Sequence, residues 1–391
     1  MPQINNIVNI PGVVVKKSQG INPIKIYAEY KGDILCPHCN SPKLRHKKTF
    51  TRQLRHESIG KRITILFLKS RQYLCKDCNR YFNLEIPGIM KWKRATEAFR
   101  KEVFEKHFNG ISQVDMARML RIGSATVERW THDLIKRKNQ EYLSYECSEY
   151  IGIDEHSFSK KMGFATTLCD LTNHRILDVF PGRSVHALDR YFKKLKGKDR
   201  VKMICIDLSE TYRAVAKKHF PNARIVTDRF HVIRLINQSF LKTWHTFDPD
   251  AKHSKGLLSL MRRHQWNMQP DQESNLFYYM DHHPGLKPIY QFKQKLVKLL
   301  LIKHQTRQQC KRLVPKLLDF IQQLKQSHFE HMLRLANTLE KWAQELVCMW
   351  RFTKNNGITE GFHRKMKLIQ RRAYGFKNFE NYRLRVRFLC S

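Results

Sequence analysis

Five short apolar runs between residues 150 and 228 constrain this chain more than any other feature: Tyr150–Asp154, Phe164–Cys169, Arg175–Phe180, Lys202–Asp207 and Arg224–Asp228. Each is only five or six residues long and is bounded by polar or turn-forming residues, the pattern of a buried strand. A turn at Leu171–His174 joins the second run to the third. Ser184 is placed to cap a helix reaching about Leu195. Another helix begins near Ser209 and must stop before Pro221. The predicted order is β-β-β-α-β-α-β. Two of the strands, Ile151-Gly-Ile-Asp154 and Ile204-Cys-Ile-Asp207, end in aspartate.

That order is the order of the ribonuclease-H-like fold, in which the first and fourth strands are neighbours. Asp154 and Asp207 are then expected to meet. A third carboxylate comes from Asn356–His363 (NGITEGFH), which opens a basic helix. At 100° per residue, Glu360, Arg364, Lys367 and Arg371 fall in one stripe, with Phe362, Met366, Ile369 and Ala373 opposite. One face therefore packs on the sheet, and the other shows one acid followed by three cations. A solvated face usually mixes signs, whereas residues 361–391 hold nine Lys/Arg and Glu380 as their only acid. Carboxylates are hard ligands suited to Mg²⁺ or Mn²⁺. Asp154, Asp207 and Glu360 together can hold two ions roughly 3.5–4 Å apart, one for an attacking water or 3′-hydroxyl and one for the departing oxygen of a phosphodiester. Asp228 and His231, in Thr227-Asp-Arg-Phe-His231, are candidates to line this site, with Asp228 as a supporting acid. A structural turn is the rival reading for both. Glu155, Asp170 and Glu210 are expected nearby.

Charge names the partner. The 391 residues contain 73 Lys/Arg against 34 Asp/Glu, a formal net charge of +39 spread along the chain. Such a protein attracts polyanions, and nucleic acid first among them. Ribosomal proteins are seldom this long and have no use for strand-terminal aspartates. No run approaches the ~18 apolar residues of a membrane span, so no membrane partner is expected. The start, MPQINNIVNI, lacks the basic and apolar regions of a secretion signal. An intracellular protein is expected, and its ten cysteines then read as metal ligands or buried thiols.

The remaining segments read as separate modules, so the fold class is a multidomain α+β/α/β chain. Residues 1–30 suggest short strands turning at Pro11-Gly12 and Gly20. Cys36-Pro-His-Cys39 and Cys75-Lys-Asp-Cys78 flank a segment that alternates apolar and basic residues, as in Arg62-Ile-Thr-Ile-Leu-Phe-Leu-Lys69. This reads as a hairpin linking two knuckles, whose four thiolates suit a structural tetrahedral Zn²⁺. Free thiols or a redox pair are the alternatives. Residues 94–146 are helical. Ile111–Leu120 forms a first helix with Met116, Ala117 and Leu120 inward, Arg121-Ile-Gly123 turns, and Ser124–Trp130 opens a second helix capped by Ser124. This is a helix-turn-helix pattern that would face DNA with Ser124, Thr126 and Arg129. An ordinary helical hairpin is the alternative. From Phe230 to about Phe352 the pattern is helical and basic, periodic in Tyr290–Ile302 and Cys310–Leu324, with breaks at Asp248-Pro249, Gln269-Pro270 and His283-Pro-Gly285. It reads as an all-α insertion. Its tryptophans, Trp266, Trp342 and Trp350, read as core, with stacking on an unpaired base as the rival. The division expected is 1–90 strands and zinc ribbon, 91–147 helix-turn-helix, 148–235 first part of the core, 236–350 insertion, and 351–391 final helix and basic end.

Taken together, Cys36–Cys39 with Cys75–Cys78, Gly152-Ile-Asp-Glu-His-Ser157, Ile206-Asp-Leu-Ser209, Val226–Val232, Asn356-Gly-Ile-Thr-Glu-Gly361 and Arg372-Ala-Tyr-Gly-Phe376 resemble the bacterial insertion-sequence transposases of the ISL-three family, over nearly the whole chain. The resemblance implies a DDE transposase with an N-terminal zinc ribbon, a helix-turn-helix and a helical insertion before the last acid. Its acids fall on Asp154, Asp207 and Glu360. His363 stands where the family suggests asparagine. The implied activity is metal-dependent cleavage at the element's terminal inverted repeats and joining of 3′-hydroxyls to target DNA, by a homodimer or higher oligomer. A catalytically silent DNA-binding regulator derived from a transposase is the alternative. A junction-type or RNA-guided nuclease on the same fold lacks this pairing of N-terminal modules.

Overall fold

The computed structural model describes residues 7–142, 146–159, 163–353, 357–373 and 375–391. The chain forms two compact units, Met1–Gln140 and Glu141–Ser391.

In the first unit, β1 (Val13–Gln19) and β2 (Ile24–Tyr30) pair antiparallel through a turn at Gly20. There φ is +78°, and a Cβ would lie 2.8 Å from the Pro23 carbonyl oxygen, so only glycine fits. A long hairpin follows, β3 (Leu44–Ile59) and β4 (Arg62–Cys75), turning at Gly60. β4 also pairs parallel with β2 and antiparallel with β5 (Tyr81–Asn83). Alternate residues such as Leu54, Leu66 and Leu68 turn inward and are at most 1% exposed. Three helices follow in the described part of the unit: α1 (Glu97–Phe108), α2 (Gln113–Leu120) and α3 (Ser124–Tyr142). Phe99, Val103, Met116, Leu120 and Val127 form their shared core, and Ala117 packs at its margin. Arg100 is buried there because Glu97 and Asp133 neutralise it.

The second unit is built on one sheet. Its strands are β6 (Tyr150–Ser159), β7 (Gly163–Asp170), β8 (Arg175–Pro181), β9 (Met203–Ile206) and β10 (Arg224–Thr227), with α4 (Val185–Lys194) and α5 (Glu210–His219) between the last three. The spatial order is β10-β9-β6-β7-β8. β6, β7 and β8 pair antiparallel, while β9 and β10 continue the sheet in parallel from β6. Ser184 and Ser209 cap α4 and α5 as the sequence suggests.

Helices then run from Arg229 to Arg351: α6 (Arg229–Phe247), α7 (Lys255–Arg262), α8 (Pro270–Asp281), α9 (Leu286–Leu300), α10 (Arg307–Lys325), α11 (Glu330–Lys341) and α12 (Ala343–Arg351). Their buried side chains continue into those of the sheet as one hydrophobic core. Trp342 and Trp350 lie inside it, whereas Trp266 is half exposed and stacks on His264.

α13 (Gly357–Arg372) is not the last helix. α14 (Phe379–Leu389) follows and packs beside β8, where the Ile176 amide donates to the Cys390 carbonyl. Part of the basic C-terminus is therefore turned inward. Arg383 donates to both oxygens of Asp178 at 2.7 and 2.5 Å, and Arg387 is 2% exposed. These two cations hold the fold and are not free for a polyanion.

Lys293 of α9 is also buried. Its Nζ donates to the Met261 carbonyl at 2.6 Å and lies over the rings of Phe240 and Tyr290. Burial pulls its pKa from 10.5 down to about 7. Between those values the unfolded chain binds the extra proton, so this residue adds stability as pH rises and costs it below about 7. Lys293→Met is expected to melt above the native chain at pH 6, with a smaller difference at pH 10. Thermal denaturation at both pH values checks this, and an equal difference at the two contradicts it.

Candidate active site

β6 is longer than the sequence suggested. It does not stop at Asp154 but runs five residues further, to Ser159, paired with β7 apart from a register shift between Ser157 and Ser159. β9 pairs with β6 only as far as Gly152–Cys205 and ends at Ile206. Asp154, opposite Thr167, therefore lies just beyond the end of β9, where Asp207 also leaves the sheet. Asp228 joins them: its amide donates to the Ile206 carbonyl at 2.6 Å, and its carboxylate caps α6 by accepting from the Phe230 amide. The His231 imidazole lies 3.7 Å from it.

This corner is short of counter-charge. Burial raises the Asp154 carboxyl to about 7, helped by Asp207, Asp228 and Glu155 and opposed by the hydrogen bond from the Glu155 amide. Burial also raises Asp207 to about 6, with His231 opposing. Oδ1 of Asp207 is buried with no hydrogen-bond partner among the described residues. Desolvated carboxylates and an orphaned oxygen are what a hard divalent cation satisfies, so the donor set fits Mg²⁺ or Mn²⁺.

α13 lies against the same strands. Thr359, fully buried, donates to Cys169 Sγ, and His363 reaches Thr167 Oγ1 at 3.3 Å and Asp154 Oδ2 at 3.9 Å. Met366 and Ile369 face the core, while Glu360, Arg364, Lys367 and Arg371 form the exposed stripe. The Glu360 carboxylate accepts from Arg364 at 2.9 Å. Among the described residues no three carboxylates lie within 4.8 Å of one another. The helix start is beside Asp154, but Glu360 itself is drawn back along its own helix.

Other expected neighbours separate. Glu155 pairs with Arg183 at the site's rim. Glu210 pairs with Lys341. Asp170 stands at the other end of β7, where it accepts from Thr172, Asn173 and Arg175 and shapes the β7–β8 turn. Sequence reading missed the support behind Asp154. The rings of His156 and His363 are 5.1 Å apart and share Thr167, and His156 also meets the Tyr382 hydroxyl at 2.8 Å. Burial lowers His156 to about 3 and His363 to about 4, so both are neutral near pH 7. The signals were the place of His156 two residues after Asp154 and His363 standing where the family suggests asparagine.

In the first unit, Cys36, Cys39, Cys75 and Cys78 converge, their sulfurs all within 4.8 Å of one another. Cys36–Cys78 is 3.6 Å and Cys39–Cys75 is 3.5 Å, near the ~3.8 Å edge of a tetrahedron with ~2.3 Å Zn–S bonds. The two knuckles are built alike, each followed by an asparagine at φ 55°, Asn40 and Asn79. Four thiolates in this geometry fit zinc.

α2 and α3 are joined by Arg121-Ile-Gly123, with Arg121 in the left-handed region at φ 49°. Ser124 is the first helical residue and not the cap, because the Gly123 carbonyl already accepts from the Thr126 amide. Ser124 and Arg129 are exposed, and Arg129 touches Thr126 one turn earlier.

Residues 151–386 match the family model for ISL3 (ISL-three) transposases, and residues 33–78 match the zinc-finger of transposase IS204/IS1001/IS1096/IS1165. Over 366 residues the chain is 22% identical to the transposase for insertion sequence element IS1001 of Bordetella parapertussis, covering 90% of this chain and 88% of that protein.

Proposed function

The chain belongs to the ISL3 family of insertion-sequence transposases, and from this premise we propose that it binds the terminal inverted repeats of its element and cuts and rejoins DNA at Asp154, Asp207 and Glu360. The observation that carries the catalytic reading is the corner beyond β9, where Asp154, Asp207 and Asp228 are gathered and one buried carboxylate oxygen has no partner. The sheet order and the helix that follows support a ribonuclease-H-like core. Asp154 and Asp207 would hold two Mg²⁺ or Mn²⁺ ions together with Glu360, once its carboxylate leaves Arg364. Bound there, the ions supply Lewis-acid charge and lower the pKa of a coordinated hydroxyl or water. His363, bonded to Thr167, stands 3.9 Å behind Asp154, and His231 lies beside Asp228 at the rim. Arg364, Lys367 and Arg371 would lie along a phosphodiester backbone that ends at the acids.

The proposed modules are the zinc ribbon to residue 90, the helix-turn-helix of 91–147, the core of 148–235 with 351–391, and the helical insertion of 236–350. The ribbon and the exposed start of α3, with Ser124, Thr126 and Arg129, would read the element ends. Two ends require two active sites, so a homodimer or larger assembly on DNA is proposed. The working place is then the bacterial cytoplasm, on the chromosome. No helix among the described residues is long and apolar enough to cross a membrane. A silent regulator would gain nothing from keeping buried, mutually repelling acids.

The test is cleavage of the DNA flanking this reading frame. Nicking that exposes a 3′-hydroxyl at the repeat is expected with Mg²⁺ and none with chelator. Cleavage unaffected by chelator contradicts the proposal.

A further inference from the structure

Lys91-Trp92-Lys93-Arg94 is a fully exposed run in the first unit, outside both segments that match family models. Trp92 is 82% exposed and has φ 61°, a left-handed conformation that a bulky side chain rarely adopts. The conformation is imposed from outside. Arg52 of β3 donates to the carbonyls of Met90 and Lys93, the Lys93 amide donates back to Met90, and the Arg55 amide holds the Arg94 carbonyl. An indole held in water by a braced, strained loop is an outlier from which function is a fair inference. The loop borders an open groove of about 970 Å³. Arg52, Arg55, Lys91, Lys93 and Arg94 line it, against Glu85 as its one acid. None of Lys91, Lys93 and Arg94 is ion-paired among the described residues.

We propose that this groove is a separate DNA-binding site, in which Lys91, Lys93 and Arg94 take consecutive phosphates and the Trp92 ring stacks on an unpaired base. The excess of cations over acid favours a polyanion, and the indole among apolar neighbours adds a contact that phosphate alone does not need. Stacking on aromatic rings tolerates any base, so the site adds affinity without reading sequence. It rests on the reading of the chain as a DNA-binding protein, yet is distinct from α3.

The probe is a labelled duplex from the DNA flanking this reading frame, with a short single-stranded tail, titrated with the full chain at several salt concentrations. Trp92→Ala is expected to weaken binding by roughly 5- to 100-fold, and Trp92→Phe to recover most of the loss. Trp92→Gly is expected to bind as weakly as the alanine variant while melting no lower than the native chain, because glycine accepts the backbone conformation. Alanine at Lys91, Lys93 and Arg94 together is expected to reduce the slope of log affinity against log salt by roughly 2–3. Undiminished affinity in Trp92→Ala beside a weakened Arg129→Ala overturns this site and leaves DNA binding by α3 standing. Failure of the native chain to bind this DNA at low salt overturns both. A Trp92→Ala chain that changes oligomeric state in sedimentation but keeps its affinity assigns the ring to a protein contact, which also overturns the proposal.

Discussion

Asp154→Asn is expected to lower Mg²⁺-dependent cleavage roughly a thousand-fold or more, about 4 kcal/mol of transition-state stabilisation at 1.36 kcal/mol per tenfold, while DNA binding is kept. The reasoning is electrostatic. Asp154 and Asp207 are buried beside Asp228 and Glu155 with too little positive charge around them. An amide at 154 can still accept from the Glu155 amide, so the strand keeps its local hydrogen bond. It cannot supply the negative charge that holds a divalent cation. Asp207→Asn is expected to do the same, and the double variant to be little worse than either, because groups that act as a unit are not additive. The same substitution should raise the melting temperature of the metal-free chain, since it removes one of several acids that repel each other. Cleavage at native rate in Asp154→Asn, or a lowered melting temperature with binding also lost, contradicts this reading of the corner.

Serine at both Cys36 and Cys75 is expected to abolish metal binding and to unfold the ribbon. Purified native protein should carry about one zinc per chain, and the double variant none. The energy at stake is large, because apparent binding energies of structural zinc are about 10–16 kcal/mol and that energy is folding energy. The hairpin shows where it is spent. β3 begins at Leu44 and β4 ends at Cys75, so both open ends meet the cysteine cluster. Without the metal, four thiols crowd one point and the ends lose their clasp. Hydrogen exchange is expected to rise first near Leu44–His46 and Tyr73–Cys75, and later in the middle of the hairpin. Retained stoichiometric zinc in the double variant defeats the assignment.

The parts of the fold that sequence revealed are those with apolar pattern and turn chemistry. Ile151-Gly-Ile and Ile204-Cys-Ile read as buried strands, Ser184 and Ser209 marked their helices, and the paired knuckles pointed to a metal site. What stayed hidden was burial of polar residues by distant partners. The strand read from sequence stops at Asp154, because beyond it the chain buries His156 against Thr167 and Tyr382 in place of an apolar side chain. Residues 379–389 read as part of a basic end turned toward DNA, yet Asp178 neutralises Arg383 from more than 200 residues away. Asp170 looks like an active-site acid by position, and only the amides of Thr172 and Asn173 reveal it as a turn residue. Trp92 gave no periodic signal at all, because its distinction lies in its backbone angle and exposure.

Glu360 remains the decisive residue, because its carboxylate accepts from Arg364 while the helix that carries it already touches Asp154 through His363. The most direct measurement is a crystal structure of the chain with Mn²⁺ and DNA from the element end, using anomalous scattering to locate the ions. Manganese is expected between Asp154 and Asp207, with Glu360 released from Arg364 and coordinated to one of the ions. Manganese bound elsewhere, or Glu360 still held by Arg364 with DNA in place, contradicts a site made from these three acids.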